Sequence, residues 1–287
     1  MRPLSVDDIK MIELDIMDEI DRVCMAHGVE YFLAYGSLLG AVRHRGFIPW
    51  DDDMDLVMLR DQYEMLMEHF NEWRSSERFK LVSYRDGSSI YQFAKIVDTT
   101  TVVYENFVGK KAATGVWVDI FPLEYFDSSK AASLLRRYSW VSLLRSFAVA
   151  DPSVGSSSFI KLVKHIVCPV AKKKDPYRLA KQLDEIAIKV NESCSGSGYV
   201  LNVTDGGDAS KIHPRDRFAP VRLSFEGRKY CAPADFEDYL ETEYGDWQTP
   251  PPRTRALDSC YGSLPIVNAG AKLVLVSHVP HMSMQLY

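Results

Sequence analysis

The sequence predicts an α+β protein with an α/β-type core, in which helices pack against a β-sheet and an additional helical region occupies the middle of the chain. Helix-like and strand-like segments alternate up to about residue 73, and a series of short apolar strands follows between residues 79 and 121. Helical periodicity then returns from residue 129. At 287 residues the chain fits one elaborated domain or two small ones.

The first segments are predicted from their caps and periodicity. Ser5 is a good N-cap for a helix over residues 5–27, Asp7 and Asp8 favour its first turn, and Gly28 suits its end. The next segments are, in order, a strand over 30–35, a helix over 37–43, a strand over 54–59 and a helix over 61–73.

The remaining segments divide the chain into three parts. Strands are predicted over 79–84, 91–98, 101–104 and 115–121, with a turn at Asp86-Gly87, and helices over 129–149, 177–193 and 234–244, with a loop over 153–158. The predicted parts are a catalytic core over 1–128, a helical insertion over 129–195 and a C-terminal part over 196–287 that packs back on the core.

Composition excludes several classes of protein. A net charge of −5 argues against nucleic-acid binding, and no apolar run reaches the ~18 residues that span a bilayer. The first ten residues lack the apolar core of a signal peptide, and the five cysteines are dispersed without a CxxC pair. These features predict reduced thiols, a cytoplasmic location and no structural zinc site.

The most informative segment runs from Tyr31 to Tyr63 and contains four aspartates in five positions: Asp51, Asp52, Asp53 and Asp55. So many carboxylates beside an apolar strand repel one another, and a divalent cation commonly compensates such a cluster. Because residues two apart in a strand share a face, Asp53 and Asp55 are predicted to project together. Asp119, in the apolar run GVWVDIF, is the candidate third carboxylate from a neighbouring strand. An EF-hand is excluded, because Leu56 stands where its loop needs glycine.

A Gly-Ser pair precedes the aspartates. Gly36 lets a backbone approach a phosphate closely, and Ser37 at a helix N-terminus offers a hydroxyl and backbone N–H groups to phosphate oxygens. Either feature alone has an ordinary interpretation, as a solvated acidic loop or a simple turn. Together, in this order, they predict a metal-dependent phosphoryl-transfer site.

Basic and aromatic residues are weaker candidates. Arg43, His44 and Arg45 are predicted to contact phosphates, the alternative for His44 being a packing or capping role. Lys95 either reaches donor phosphates or is a surface lysine. Trp50 either stacks on a base or a cationic head group or belongs to the core.

The stretches YGSLLGAVRHRGFIPWDDDMD, KIVDTTT and VDIFPL resemble the LicD family of phosphotransferases, well over residues 10–125 and in patches beyond. The resemblance implies a nucleotidyltransferase-like mixed β-sheet flanked by helices. It implies transfer of a phosphocholine or polyol phosphate group from a CDP-linked donor to a glycan or lipid-linked glycan, with release of CMP. By resemblance, Gly36 and Ser37 would lie at the donor phosphates.

The resemblance also implies roles for the other candidates. By resemblance, Asp53, Asp55 and Asp119 would bind Mg²⁺ or Mn²⁺, and Arg43, His44 and Arg45 would flank the donor phosphates. From the residues themselves, Asp119 is preferred to His44 as the general base, and Lys95 is a further candidate for donor binding. After Asp246 the chain departs from the family pattern, because no histidine follows the Pro-rich run until His278.

Three alternatives remain. A nucleotidyltransferase would move the NMP itself and release pyrophosphate from the same site. A GT-A-like glycosyltransferase would use the DxD, although the upstream Gly-Ser pair argues against it. A non-catalytic binding protein is disfavoured by the presence of all three carboxylates.

The middle region adds one expectation about location. Residues 134–174 mix basic with large apolar side chains, which is typical either of two packed helices with basic outer faces or of a peripheral membrane contact. The second interpretation would place the protein at the inner face of the membrane.

Overall fold

The computed structural model of the protein describes residues 3–105, 114–149, 167–249, 266–268 and 275–276. Within these ranges a mixed β-sheet is flanked by helices, which confirms the predicted α+β class. The helices are α1 (Val6–His27), α2 (Tyr35–His44), α3 (Arg60–Trp73), α4 (Ser128–Val149), α5 (Pro176–Ser193) and α6 (Phe236–Tyr244). A 3-10 helix spans Arg215–Phe218, and residues 167–171 are also helical.

The strands are short apart from one. They are β1 (Pro3–Leu4), β2 (Phe32–Leu33), β3 (Asp55–Leu59), β4 (Phe79–Val82), β5 (Ala94–Asp98), β6 (Thr101–Val102), β7 (Tyr104–Glu105), β8 (Trp117–Tyr125), β9 (Tyr199–Leu201), β10 (His213–Pro214), β11 (Pro220–Phe225), β12 (Arg228–Pro233), β13 (Ile266–Asn268) and β14 (Leu275–Val276). The nine-residue β8 is the centre of the main sheet.

Helix α1 begins and ends where the sequence predicts. Ser5 Oγ accepts a hydrogen bond from the Asp8 N–H at 3.1 Å, and the Asp8 carboxylate accepts one from the Ser5 N–H at 2.8 Å. This capping box satisfies N–H groups that the first turn leaves free. Gly28 ends the helix at φ 67°, a conformation that glycine adopts without steric cost.

The main sheet is organised around β8. Its first half lies between β3, which is parallel to it, and β5, which is antiparallel, and its last residues pair with β9. Each outer strand pairs antiparallel with an inner strand: β2 with β3, β4 with β5 and β10 with β9. Helices α1 and α3 contact each other and this sheet, so that the core lies between them and the strands.

The helical middle region leaves the sheet and returns to it at one place. The chain departs at Phe126, whose N–H donates to the Tyr199 carbonyl at 2.9 Å where the chain comes back. Helices α4 and α5 pack together and share a small core with β8 and β9, which includes Tyr138 and Leu183. The predicted three-part division stays a prediction.

A few predicted elements differ from the structure. The strand expected over 30–35 is only Phe32–Leu33, because α2 already begins at Tyr35. The strand expected over 91–98 begins at Ala94. The predicted loop over 153–158 and the Pro-rich run from Pro250 lie outside the described residues. The four described cysteines are free and buried.

Candidate active site

Three candidate side chains come from three adjacent strands at the same level of the sheet. Asp55 on β3 is the register partner of Asp119 on β8, and Asp119 is the register partner of Lys95 on β5. Neighbouring strands lie about 4.8 Å apart, and register partners project from the same face. The sheet therefore brings together two of the three predicted carboxylates and the predicted donor-binding lysine.

Asp119 is buried; its Oδ1 forms an ion pair without hydrogen-bond geometry, and its Oδ2 accepts a hydrogen bond. Oδ1 lies 3.1 Å from the Lys95 ammonium, and Oδ2 accepts a hydrogen bond of 3.1 Å from the Trp117 indole N–H. A carboxylate at 4% exposure needs such partners, because an isolated buried charge is strongly unfavourable.

Lys95 is not a surface lysine, so that interpretation is wrong. Its side chain is 2% exposed, and its ammonium lies 3.9 Å from the ring centroid of Trp117 and 4.3 Å from that of Tyr91. The Phe93 ring is a third neighbour, at 5.7 Å. Aromatic faces stabilise a desolvated cation, so Lys95 is held in place by rings as well as by Asp119.

The acidic segment before β3 is a cluster of half-buried carboxylates. Burial raises the pKa of Asp53 to about 6, and the negative charges of Asp52 and Asp119 add to the effect. Burial together with Asp53 and Asp119 raises the pKa of Asp55 well above its ordinary value. Both pKa values are therefore raised by burial first and by repulsion between neighbouring carboxylates second.

The first turn of α2 lies against this cluster. A Cβ atom built on Gly36 would approach Asp51 Oδ2 to 2.6 Å, so the glycine is what lets that carboxylate come close. Ser37 is buried, and its Oγ accepts a hydrogen bond of 2.8 Å from the Asp55 backbone N–H. The Gly-Ser pair thus positions the acidic segment, while the first-turn N–H groups of the helix have no partners within the helix.

Sequence reasoning missed Glu13 on α1. This side chain is 3% exposed, its Oε2 has no hydrogen-bond partner among the described residues, and its pKa is raised by burial and then by Asp53 and Asp52. The available signal was its position, since Glu13 follows Ile9 by four residues and precedes Ile16 by three on the apolar face of the helix.

Sequence reasoning also missed a small polar pocket, which begins at Tyr35 beside the Gly-Ser pair. Its lining residues are Tyr35, Leu123, Leu201, Asn202, Asp205, Asp208, Lys211, His213, Tyr239 and Glu243. Burial and the Glu243 charge raise the pKa of Asp205 to about 7, with a smaller contribution from Asp119. No sequence signal pointed to Asp205, which lies in the polar turn NVTDGGD.

The histidine of this pocket is neutral. His213 Nδ1 lies 2.9 Å from Arg217 Nη1, and Nε2 lies 2.9 Å from Glu243 Oε1. A guanidinium can only donate, so Nδ1 must accept the hydrogen bond from Arg217. The ring hydrogen is then on Nε2, which donates a hydrogen bond to Glu243 Oε1. His213 therefore adds no positive charge to a pocket that contains three carboxylates and Lys211.

Comparison with known proteins decides the family. Residues 28–147 match the family model described as the LicD/FKTN/FKRP nucleotidyltransferase domain. These residues therefore form a domain of the LicD family. The matched range contains the Gly-Ser pair, the aspartates and Lys95, and it extends beyond the predicted boundary at residue 128.

The chain is similar to two named transferases, one over most of its length and one over about a third of it. The lipopolysaccharide cholinephosphotransferase LicD of Haemophilus influenzae is 27% identical over 265 residues, which cover 88% of this chain and 94% of the relative. The human ribitol 5-phosphate transferase FKRP is 33% identical over 108 residues, which cover 37% of this chain and 16% of the relative. Both relatives are transferases of phosphate-containing groups, and this chain is an enzyme of that class.

The predicted basic phosphate contacts lie at the other end of α2. Arg43 is seven residues from Gly36, about 10 Å along a helix, and its Nη1 donates to the Trp247 carbonyl at 3.2 Å. His44 and Arg45 are exposed, and Arg45 ends α2 at φ 57°. Arg43 Nη2 is buried without a hydrogen-bond partner among the described residues. Contact between the donor and Arg43, His44 or Arg45 stays a prediction.

Trp50 is half-buried and packs against the main hydrophobic core.

The acidic residues of the site fit a divalent cation in donor type and in charge. All are oxygen ligands of the kind that Mg²⁺ and Mn²⁺ prefer. The pKa values of Asp53 and Asp55 are raised by burial and, to a smaller extent, by repulsion between carboxylates, and a bound cation would oppose both effects. Within the described ranges, no three His, Cys, Asp or Glu side chains are arranged to hold a metal ion. Asp119 is instead directed at Lys95 and Trp117.

The middle region exposes basic and apolar side chains on α4. On α4, Arg136 and Arg137 are exposed and Trp140 is 74% exposed. Among the helices that the structure describes, none has the length and hydrophobicity needed to cross a bilayer. Peripheral membrane contact stays a prediction.

Proposed function

We propose that the protein transfers a phospho-substituent, of the phosphocholine or polyol phosphate type, from a CDP-linked donor to a sugar hydroxyl of a cell-surface glycan, releasing CMP. The observation that carries this proposal is the pairing of Asp55 with Asp119 on neighbouring strands beside the first turn of α2. The names of the two relatives, a lipopolysaccharide cholinephosphotransferase and a ribitol 5-phosphate transferase, support the same kind of transfer.

Different residues of the site would bind the donor phosphates, accept the proton of the acceptor hydroxyl and hold a cation. The partial positive charge at the N-terminus of α2 suits the donor phosphates, and Gly36 leaves room for their approach. Asp55 and Asp119 lie where they can hold the proton that an acceptor hydroxyl loses. Asp53, Asp55 and Asp119 would hold Mg²⁺ or Mn²⁺, which when bound would neutralise phosphate charge and lower the pKa of the acceptor hydroxyl.

The test is CMP release from CDP-choline, CDP-ribitol and CDP-glycerol in the presence of a lipopolysaccharide acceptor, with Mg²⁺, Mn²⁺ or EDTA. We expect release from one donor that depends on the cation. Asp55→Asn should reduce it by about 100-fold, because the substitution removes a charge from the centre of the site. Asp61→Asn is the matched control, since Asp61 is exposed on α3, and it should retain wild-type activity.

The products separate this proposal from its competitor. Release of pyrophosphate from a nucleoside triphosphate would indicate transfer of the NMP itself from the same acidic site. Absence of turnover with every donor, together with absence of cation-dependent CDP binding, would overturn the interpretation of the aspartates as a phosphoryl-transfer site. The preferred donor, if one is found, names the transferred group.

A further inference from the structure

Lys95 places a full positive charge next to the aspartates, inside the protein. Its ammonium contacts the Asp119 carboxylate at 3.1 Å and is enclosed by the rings of Trp117 and Tyr91. Taking a lysine out of water is unfavourable unless a partner compensates the charge. The sheet provides that partner by registering Lys95 directly opposite Asp119.

The same register puts Lys95 in competition with any cation at this site. Asp119 is also the register partner of Asp55, so one carboxylate lies between the lysine on one side and the acidic cluster on the other. A divalent cation bound by Asp55 and Asp119 would have to share Asp119 with Lys95. It would also experience repulsion from an ammonium that, at 2% exposure and between aromatic rings, has no open path away.

We propose that Lys95 is the resident counter-charge of the acidic site: it competes with a divalent cation for the Asp119 carboxylate and so sets the affinity of the site for that cation. This inference rests on the proposed function, because it assumes that Asp55 and Asp119 bind the cation. Lys95 is then a positioning residue, which acts on the site through Asp119, rather than a ligand of the donor phosphates.

The first experiment measures the Mn²⁺ affinity of the purified protein by isothermal titration calorimetry, with no other ligand present. The second measures stability by urea unfolding, once in EDTA and once in Mn²⁺. Lys95→Met removes the charge and keeps the approximate volume, and it should bind Mn²⁺ about tenfold more tightly, equivalent to about 1.4 kcal/mol. It should be less stable than wild type in EDTA and gain more stability from Mn²⁺. Lys95→Arg keeps the charge and should retain the wild-type affinity.

Lys80→Met is the matched control. Lys80 lies on β4, one strand beyond β5, and pairs with Val97, so its removal changes the net charge of the same sheet without touching Asp119. Its Mn²⁺ affinity should equal that of wild type. If Lys95→Met does not fold in EDTA, Lys95→Gln is titrated in its place with the same expectation.

The outcomes separate this inference from the proposed function. If wild type binds Mn²⁺ and the neutral Lys95 variants bind it equally or more weakly, Lys95 is not a competing charge, while the metal site stands. If neither wild type nor any variant binds Mn²⁺, the metal dependence in the proposed function fails, and this inference fails with it.

Discussion

The hydroxyl of Ser37 accepts a hydrogen bond of 2.8 Å from the backbone N–H of Asp55, which joins the first turn of α2 to the first residue of β3. Ser37→Ala should leave this N–H without its acceptor and reduce the free energy of unfolding by about 1–2 kcal/mol. Activity should fall further than stability alone explains, because the position of Asp55 depends on this contact. Urea unfolding and CMP release measure the two effects.

Ser139→Ala serves as the control for that substitution. Its hydroxyl donates to a carbonyl of its own helix, Leu135, at an exposed position, so the change should be close to neutral. Equal losses of stability in the two variants would contradict a special role for the Ser37 contact.

Gly36→Ala should reduce activity with little loss of global stability. The added Cβ would meet Asp51 Oδ2 at 2.6 Å, so the flexible carboxylate must move away from the helix. Gly198 has no heavy atom within 4 Å of an added Cβ, and Gly198→Ala should therefore leave activity unchanged. CMP release by both variants, normalised to the folded fraction, is the measurement. An active Gly36→Ala enzyme would show that the close approach of Asp51 is dispensable.

A buried ion cluster ties α3, β8 and α5 together, and it predicts a large effect on stability. Arg60 is 7% exposed and pairs with the fully buried Glu124 and, at 3.0 Å, with Asp184. Arg60→Met would leave two buried carboxylates without this partner and should cost about 3–5 kcal/mol. The measurement is the midpoint of urea unfolding.

The exposed pair Lys181–Glu185 is the comparison for the ion cluster. Its side chains are 64% and 49% exposed and 3.9 Å apart, so Lys181→Met should change stability by less than about 0.5 kcal/mol. Similar losses in Lys181→Met and Arg60→Met would mean that burial of the cluster does not control its contribution.

Asp205 should make the protein less stable as pH rises. Burial and the Glu243 charge raise its folded pKa to about 7, Asp119 adds to the effect and Lys211 opposes it. The folded carboxyl therefore holds its proton more tightly than the unfolded one, and stability falls between about pH 4 and pH 7. Neighbouring atoms surround the Asp205 carboxyl group, while the residue as a whole is exposed to solvent. Screening by that solvent limits the loss, which Asp205→Asn removes, to about 1 kcal/mol.

The measurement for Asp205 is Tm against pH for wild type and Asp205→Asn. The curves should coincide near pH 4, separate up to about pH 7 in favour of the variant, and then remain parallel. Curves that are parallel throughout would show that Asp205 has an ordinary pKa.

Local signals in the sequence predicted the elements that carry the site. The Ser5 cap and Gly28 predicted α1 to within one residue, because both ends of that helix are determined by short-range hydrogen bonds and backbone preference. Asp119 was predicted as a partner of Asp55 because an aspartate within an apolar run needs compensation, and the register confirms that the two lie opposite each other.

What the sequence did not predict depends on contacts between distant segments. Lys95 is compatible with a surface position or a buried one, and only the pairing of β5 with β8 beside Trp117 decides between them. Asp205 comes close to Asp119 through the return of the chain at β9, about 80 residues later in the sequence. Such relationships are tertiary and leave no periodic pattern behind.

The hydrogen bond between Phe126 and Tyr199 joins the two ends of the middle region, whose described helices α4 and α5 lie between the point where the chain leaves the sheet and the point where it rejoins it. Both Asp55 and Asp119 precede this region in the chain, so a change in its length does not shift the register between them. Several described residues of this region contact the first 128 residues: Asp184 pairs with Arg60 and Arg85, Arg145 donates to the Ile90 carbonyl, and Asn191 accepts from the Tyr125 N–H. The middle region is therefore independent of the strand register at the candidate site, while its side chains still hold it against the same part of the molecule.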